Sequence, residues 1–359
     1  MMYNYFMINN PFIWDKYSDQ PYPIKDKVYK KNMRKKHIFD YIPLILTNLI
    51  IFPLSIILIP FFKGNNPKKQ NLKKFYGIGV DYEKSSIQKE LVEELGVKEI
   101  LIRMPLWKIS QVDDYVEFAK SFGKDKTILL NILQDREHIE NTELLSKDID
   151  IIFKKFSPYV KEYQLGNAIN RTKWGFFSMK EYLVWYQQIQ NIRDNNYKDL
   201  KLIGSSVIDF EYHYTIRTLF NFFDIRYDKF SSLLYVDRRG APSNRQMIIF
   251  DTANKINMLF SILKLSSKSS NDIYITEVNW PLSNTAPYAP TSEKECVSEN
   301  DYAKYMIEYL DTAKKSNKIK KVFWHQLIAS GYGLVDNRDS KIRKTKAFYE
   351  FKRLIKESN

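Results

Sequence analysis

ITEVNW at 275–280 and YQLGNAINR at 163–171 decide how this chain is read. In the first stretch Glu277 closes a run of strand formers, Ile273, Tyr274, Ile275 and Thr276. In the second, Gly166, Asn167 and Ala168 close another. Each run places a change of chemistry at the C-terminal edge of a strand. In a (β/α)8 barrel that edge matters most, because the loops after the strands line one open face.

Outward from these two stretches, strand-like and helix-like runs alternate. The strand candidates are FYGIGVD (75–81), KEILIRM (98–104), KTILLNI (126–132), VKEYQLG (160–166), LKLIGSSV (200–207), SSLLYV (231–236), NDIYITE (271–277) and KKVFWHQL (320–327). Helical patterns fill 84–95, 111–122, 143–156, 178–193, 213–222, 244–266, 300–316 and 344–357. Alternation of this kind implies parallel pairing and right-handed crossovers. Eight units within 75–359 predict an α/β fold, a closed (β/α)8 TIM barrel. An open doubly wound sheet is the alternative, but no GxGxxG follows the first strand.

The N-terminal part reads differently. Residues 1–40 are basic, polar and aromatic without a clear period, and are expected to form an irregular tail. Tyr41 to Phe62 (YIPLILTNLIIFPLSIILIPFF) carries no charge and is long enough to span a bilayer. Pro43, Pro53 and Pro60 weaken a straight helix, although membrane spans tolerate proline. Residues 63–74 (KGNNPKKQNLKK) form a basic linker. Of the net charge of +14, +9 lies in residues 1–74, around the apolar segment. That distribution points to a membrane surface and lipid, not to nucleic acid. A single-pass anchor, a monotopic segment lying in one leaflet and a buried helix are the open readings. A slight excess of Lys and Arg before the segment favours a barrel on the outer, periplasmic side. The run starts too late and is too long for a secretory signal.

Composition narrows the chemistry. Cys296 is the one cysteine, so neither an intrachain disulfide nor a cysteine metal site is available. The four histidines show no metal-ligand spacing, and no metal or organic cofactor is implied. Twenty-five tyrosines, 23 phenylalanines and 6 tryptophans suit a cleft that stacks on sugar rings, and equally suit an ordinary core.

The 75–359 segment resembles the clan A retaining glycoside hydrolases. ITEVNW places Glu277 at the family's nucleophile position, and LLYV places Tyr235 where a sixth-strand tyrosine steers it. ILIRMPLW places Arg103 at the second-strand position that holds the nucleophile's charge, and VFWHQL places Trp324 at the aromatic position of the eighth strand. GLVDN (333–337) and KTKAFYEFK (344–352) resemble the closing segment. The family's Gly-Asn-Glu reads Gly166-Asn167-Ala168. Asn167 retains a substrate-binding role by resemblance, while the residue expected to be the acid/base is an alanine. Retaining hydrolysis needs a second carboxyl group about 5 Å from the nucleophile.

Glu211, in VIDFEYH (207–213), is the candidate replacement, with Asp209 sharing its face and His213 orienting it. Both acids equally suit a helix cap or pairing with basic side chains. Asp81, ending the first strand, is a further substrate-binding candidate. Arg238 and Arg239 flank Asp237 beyond the sixth strand and suit an anionic glycan, or a loop-bracing network. Trp280, with Trp107 and Trp174, follows a strand end and is a candidate stacking platform. The proline-rich 279–295 loop would cover the mouth.

Two functions follow from the resemblance. One is a membrane-anchored hydrolase of an anionic envelope glycan or glycolipid, such as lipopolysaccharide core sugars, with Glu277 as nucleophile. The other is an inactive glycan-binding or scaffolding subunit partnered with a membrane hydrolase. A polysaccharide-building transferase finds no sugar-nucleotide site to support it.

Overall fold

The computed structural model describes residues 11–64, 71–84, 86–338 and 342–358. Eight strands close into a parallel barrel: β1 (Tyr76–Val80), β2 (Glu99–Pro105), β3 (Thr127–Leu133), β4 (Glu162–Leu165), β5 (Lys201–Ile208), β6 (Lys229–Leu233), β7 (Ile273–Ile275) and β8 (Ile319–Trp324). β8 pairs with both β7 and β1, which closes the ring. The strands are buried nearly end to end, as expected when side chains fill the inside and helices cover the outside. All eight strand runs expected from the sequence are present.

The barrel interior is filled by Leu101, Leu129, Ile203, Tyr274 and Phe323. Gly77 makes this possible, because a Cβ there would lie 2.4 Å from the Phe323 ring. At the strand starts Lys321 bridges Glu99 (2.6 Å) and Glu162 (3.5 Å), and Lys229 binds Glu162 as well. Buried carboxylates at this end are thus paired with ammonium groups.

The helices are α1 (Lys27–Lys36), α2 (Tyr41–Leu58), α3 (Gln88–Leu95), α4 (Val112–Ser121), α5 (Arg136–Glu140), α6 (Thr142–Phe156), α7 (Met179–Asn196), α8 (Tyr212–Leu219), α9 (Thr252–Lys264), α10 (Glu299–Lys315) and α11 (Lys346–Ser358). α9 begins eight residues later than its apolar pattern suggests. Asp251 caps it, accepting a hydrogen bond from the Asn254 amide, so the preceding MIIF run stays outside the helix.

The N-terminal segment departs from an irregular tail. Asp26 caps α1 through the Tyr29 amide, and Met33 packs with Ile24 and Phe177. Upstream, Trp14–Asp15 pairs antiparallel with Gln20–Pro21 in a short hairpin. Asp15 closes its turn, accepting from the Tyr17 amide and the Ser18 hydroxyl.

The apolar run forms α2, continued by a 3-10 turn at Ile59–Phe61. α2 lies along the barrel flank against α8 and α9. Asn48 donates to the His213 carbonyl (3.0 Å), Ser261 donates to the Ser55 carbonyl (2.6 Å), and Phe52 stacks on Tyr212 at 4.3 Å. Its other face, with Ile42, Ile45, Leu46, Leu49, Ile50 and Ile57, is exposed. By length and composition the Ile38–Phe61 stretch could cross a membrane, and its exposed face distinguishes it from a core helix.

Trp324 is fully buried, stacks on Trp280 (5.9 Å, 16°) and donates to the Tyr302 hydroxyl (2.8 Å). Trp324→Ala is expected to lower unfolding stability by about 3–5 kcal/mol, measurable by urea titration with intrinsic fluorescence.

Candidate active site at the barrel mouth

Strand alternation selects the inward residues. Leu101 and Leu129 point into the barrel, so Arg103 and Asn131, two residues further on, share that face at the C-terminal end. The same rule applied to Phe323 makes His325 inward and Trp324 outward. Asn131, buried, donates to Asn167 Oδ1 (3.1 Å). Gln134 clamps Asn167 from the other side, donating to its carbonyl (2.8 Å) and accepting from its amide (2.9 Å). Gly166 permits this turn with φ 86°, and Ala168 follows in the left-handed region at φ 45°, uncommon for a residue with a Cβ.

Glu277 is the centre of the cluster. Tyr235 donates its hydroxyl to one carboxylate oxygen (2.7 Å), and Asn167 donates its side-chain amide to the other (3.3 Å). Burial opposes charge on Glu277. The field of His325 while its ring is protonated, the field of Arg103 and the two hydrogen bonds together outweigh burial and hold the carboxyl below the ordinary value. Burial pushes His325 itself down to about 4. At neutral pH the imidazole is therefore neutral, and Arg103 is the lasting cation of the pair. Arg103 lies beside both the Trp14 and Trp174 rings, at 5.9 and 5.5 Å, and the two rings meet each other edge to face. Arg239 lies over the Tyr235 ring at 3.6 Å.

The hairpin sits over this mouth. Asp19, nearly buried, accepts from Tyr332 (2.6 Å), Gln326 (2.8 Å) and Lys84 (2.9 Å), and its carbonyl accepts from Arg103 (3.1 Å). Gln20 accepts from Lys173 (2.6 Å), whose ammonium burial pushes down to about 8 beside Glu277. Trp14 packs on Trp107 and Trp174.

The structure gathers Glu277, Asn167, Tyr235 and Arg103 as the sequence suggests, and Asp81 lies by the same mouth. Burial, reinforced by nearby Asp19, pushes the Asp81 carboxyl up to about 6. The remaining assignments, Glu211, Asp209, His213, Trp280, Trp324 and Arg238, need correction or stand apart. Both oxygens of Glu211 are engaged, by Arg171 (2.6 Å) and Asn170 (2.6 Å), and Arg171 also binds Asp209 (2.5 Å). This is the ion-pair reading of the two acids rather than a free proton donor. The His213 ring packs on Tyr214, at 4.2 Å, rather than orienting Glu211. Trp280 and Trp324 are buried wall residues, Trp280 donating to the Gly240 carbonyl (2.9 Å), so neither offers an open face for a sugar. Arg238 lies in the 3-10 turn Asp237–Arg239, and its side chain is outside the described residues.

Sequence reading missed His325, Asn131, Lys173 and the whole hairpin. Strand alternation was the available signal for the first two. Lys173 and the hairpin sit in loops and carry no periodic signal. Among the described residues, no three His, Cys, Asp or Glu side chains gather as a metal site.

Comparisons with known proteins bear on the fold. The virulence factor SghA from Agrobacterium tumefaciens superposes with a TM-score of 0.58 at 10% identity, over 84% of this chain and 99% of that one. The GH39 enzyme from Xanthomonas axonopodis pv. citri gives 0.56 at 10% identity, covering 81% and 67%. A monomeric beta-xylosidase from Caulobacter crescentus CB15 gives 0.55 at 12%, covering 81% and 69%. No protein-family model and no curated protein matches the sequence. The chain therefore shares the closed (β/α)8 barrel fold of these structures.

Asp81 supplies a pH test. Its folded value, about 6, lies above its ordinary 3.8, so the folded chain holds the proton more tightly. The Asp81 contribution to stability is then greatest at low pH and falls as pH rises from about 4 to about 6. Asp81→Asn should flatten that part of the stability–pH profile, as read by thermal unfolding from pH 4 to 7.

Proposed function

We propose that this protein is a membrane-associated glycoside hydrolase acting on an anionic envelope glycan or glycolipid, with lipopolysaccharide core sugars as one example. Glu277 is its nucleophile. The observation that carries this reading is the Glu277 carboxylate, buried yet ionised, gripped by Tyr235 and Asn167 under the field of Arg103. A buried carboxylate is costly unless paired. A site that holds one charged, at a barrel mouth, suits attack on an electrophilic sugar carbon.

In such a reaction the Glu277 oxygen forms a bond to the anomeric carbon as the glycosidic C–O bond breaks, and water later releases the sugar. Tyr235 and Arg103 orient and stabilise the carboxylate, and Asn167 is placed to bind the hydroxyl beside the reacting carbon. Ala168 stands where the family's proton donor would be, and Glu211 is tied to Arg171. Asp81, held at about 6, is the mouth carboxyl best suited to carry a proton near neutral pH.

Membrane association rests on α2. Its contacts with α8 and α9 run along the barrel flank. A perpendicular span would drag that flank into the hydrocarbon or undock the helix. An in-plane, monotopic seating satisfies both the packed and the exposed face. The flanking lysines and arginines suit anionic headgroups. An in-plane segment leaves its basic flanks and the barrel on one side of the membrane, and those flanks favour the cytoplasmic side.

Ala168 and the occupied mouth favour a second reading, a non-catalytic glycan-binding or scaffolding subunit of a membrane hydrolase complex. Mass spectrometry of envelope glycolipids from cells with wild-type protein, with Glu277→Gln and with none separates the two. A sugar absent only with wild type is expected. Identical glycans in the wild-type and Glu277→Gln strains would leave the scaffolding reading.

For the membrane contact, replacing Ile45, Leu49 and Ile57 together by Gln should reduce co-sedimentation with phosphatidylglycerol vesicles several-fold. Unchanged sedimentation would reject the in-plane seating.

A further inference from the structure

The N-terminal hairpin fills the mouth with a carboxylate. Its tip residue Asp19 is held at φ 51°, an unusual backbone for aspartate. That geometry delivers the side chain to Tyr332 (2.6 Å), Gln326 (2.8 Å) and Lys84 (2.9 Å). Three donors from two separate loops thus converge on one carboxylate. Lys84 follows β1, and Gln326 and Tyr332 follow β8. Arg103 touches only the Asp19 backbone, and its Nε is buried without a hydrogen-bond partner among the described residues. An unpaired buried guanidinium nitrogen costs free energy. A ligand oxygen would relieve that cost. A small cavity adjoins the hairpin at Trp14, lined also by Asp81, Glu83, Arg103, Trp107 and Lys108.

We propose that Lys84, Gln326 and Tyr332, with Arg103 beside them, form a carboxylate-binding subsite for a sugar acid, and that Asp19 of the hairpin occupies it in place of that ligand. This rests on the glycan-directed reading of the same mouth and names the substrate class, a uronic-acid residue.

The chemistry fits a sugar carboxylate better than a neutral sugar. An ammonium, a phenol and a primary amide all donate, as a carboxylate requires. Removing the Asp19 carboxylate would strip a partner from each of the three donors, of which Gln326 and Tyr332 are buried, and this disfavours an empty mouth. The hairpin therefore acts as a tethered competitor. Its effective concentration is high, so a free sugar acid competes poorly until the hairpin is displaced. The open form is a minor state, and the observed affinity is reduced by its population. The hairpin is held at other points too, by the Gln20–Lys173 bond and the Trp14 ring contacts. Release consequently needs a competing ligand or a change in how the N-terminal segment and α2 are seated.

The test uses full-length protein and two probes that differ at C6, D-galacturonate and D-galactose. Asp19→Ser removes the competing carboxylate, and the milder Asp19→Asn keeps its size. Ligand-induced shifts in melting temperature report binding and folding together. Galacturonate should stabilise both variants, with an apparent affinity at least tenfold above wild type, while galactose should not. Adding Lys84→Met to Asp19→Asn should abolish the gain.

Three outcomes would overturn the proposal. They are no gain with galacturonate in folded Asp19→Asn protein, an equal gain with galactose, and a gain that survives Lys84→Met. If both Asp19 variants melt below the working temperature, galacturonate should restore a cooperative transition, and failure to do so also counts against the subsite. Glu277→Gln in the Asp19→Asn background separates this from the hydrolase reading. Retained galacturonate binding there, with unchanged envelope glycans in cells carrying wild-type protein, would leave the subsite standing and remove the enzyme.

Discussion

One buried charge organises the mouth of this barrel. Glu277 is ionised in a place that penalises ions, and most of its surroundings answer that penalty. Tyr235 and Asn167 each spend a donor on it. Asn131 and Gln134 then fix Asn167, and Arg239 covers Tyr235. Arg103 supplies the positive field from beside the Trp14 and Trp174 rings. Removing any member would leave the others misdirected or unpaired, which is how a polar cluster of this kind specifies one arrangement.

The segment before the barrel is part of this arrangement. Of the two rings beside Arg103, Trp14 comes from the hairpin and Trp174 from the loop after β4. Asp19 closes the opposite wall. From there the chain passes through α1, which packs on Phe177, and into α2, which lies along the flank. The mouth and the apolar helix are thus linked by about twenty residues of ordered chain.

The barrel was legible in the sequence because its strands are buried on both faces and read as short apolar runs between helical periods. The start of α9 was less legible, since an apolar run precedes the Asp251 cap and a hydrophobic pattern alone does not show where hydrogen bonding begins. Glu277, Tyr235, Asn167 and Arg103 were legible as residues at strand ends. His325 was obscured by its neighbour Trp324. The tryptophan drew attention by resemblance, while strand alternation turns it outward onto Tyr302. The chain is not extended at Asp209, where φ is 60°, and Arg171, in a different loop, claims both Asp209 and Glu211. The hairpin was hidden for the most basic reason. Its contacts join Asp19 to Gln326 and Tyr332, more than 300 residues away, and no local pattern records such a pairing.

The central claim is that Glu277 is a nucleophile. The most direct test is covalent capture with a sugar-shaped epoxide, whose ring a carboxylate opens to form a stable ester. Intact-mass and peptide analysis of the wild-type and Asp19→Asn proteins would locate the adduct. One label per chain, on Glu277, with faster labelling when Asp19 is neutralised, is the predicted result. Absence of any adduct on Glu277 in folded Asp19→Asn protein, across epoxides bearing neutral and carboxylate-substituted rings, would contradict it.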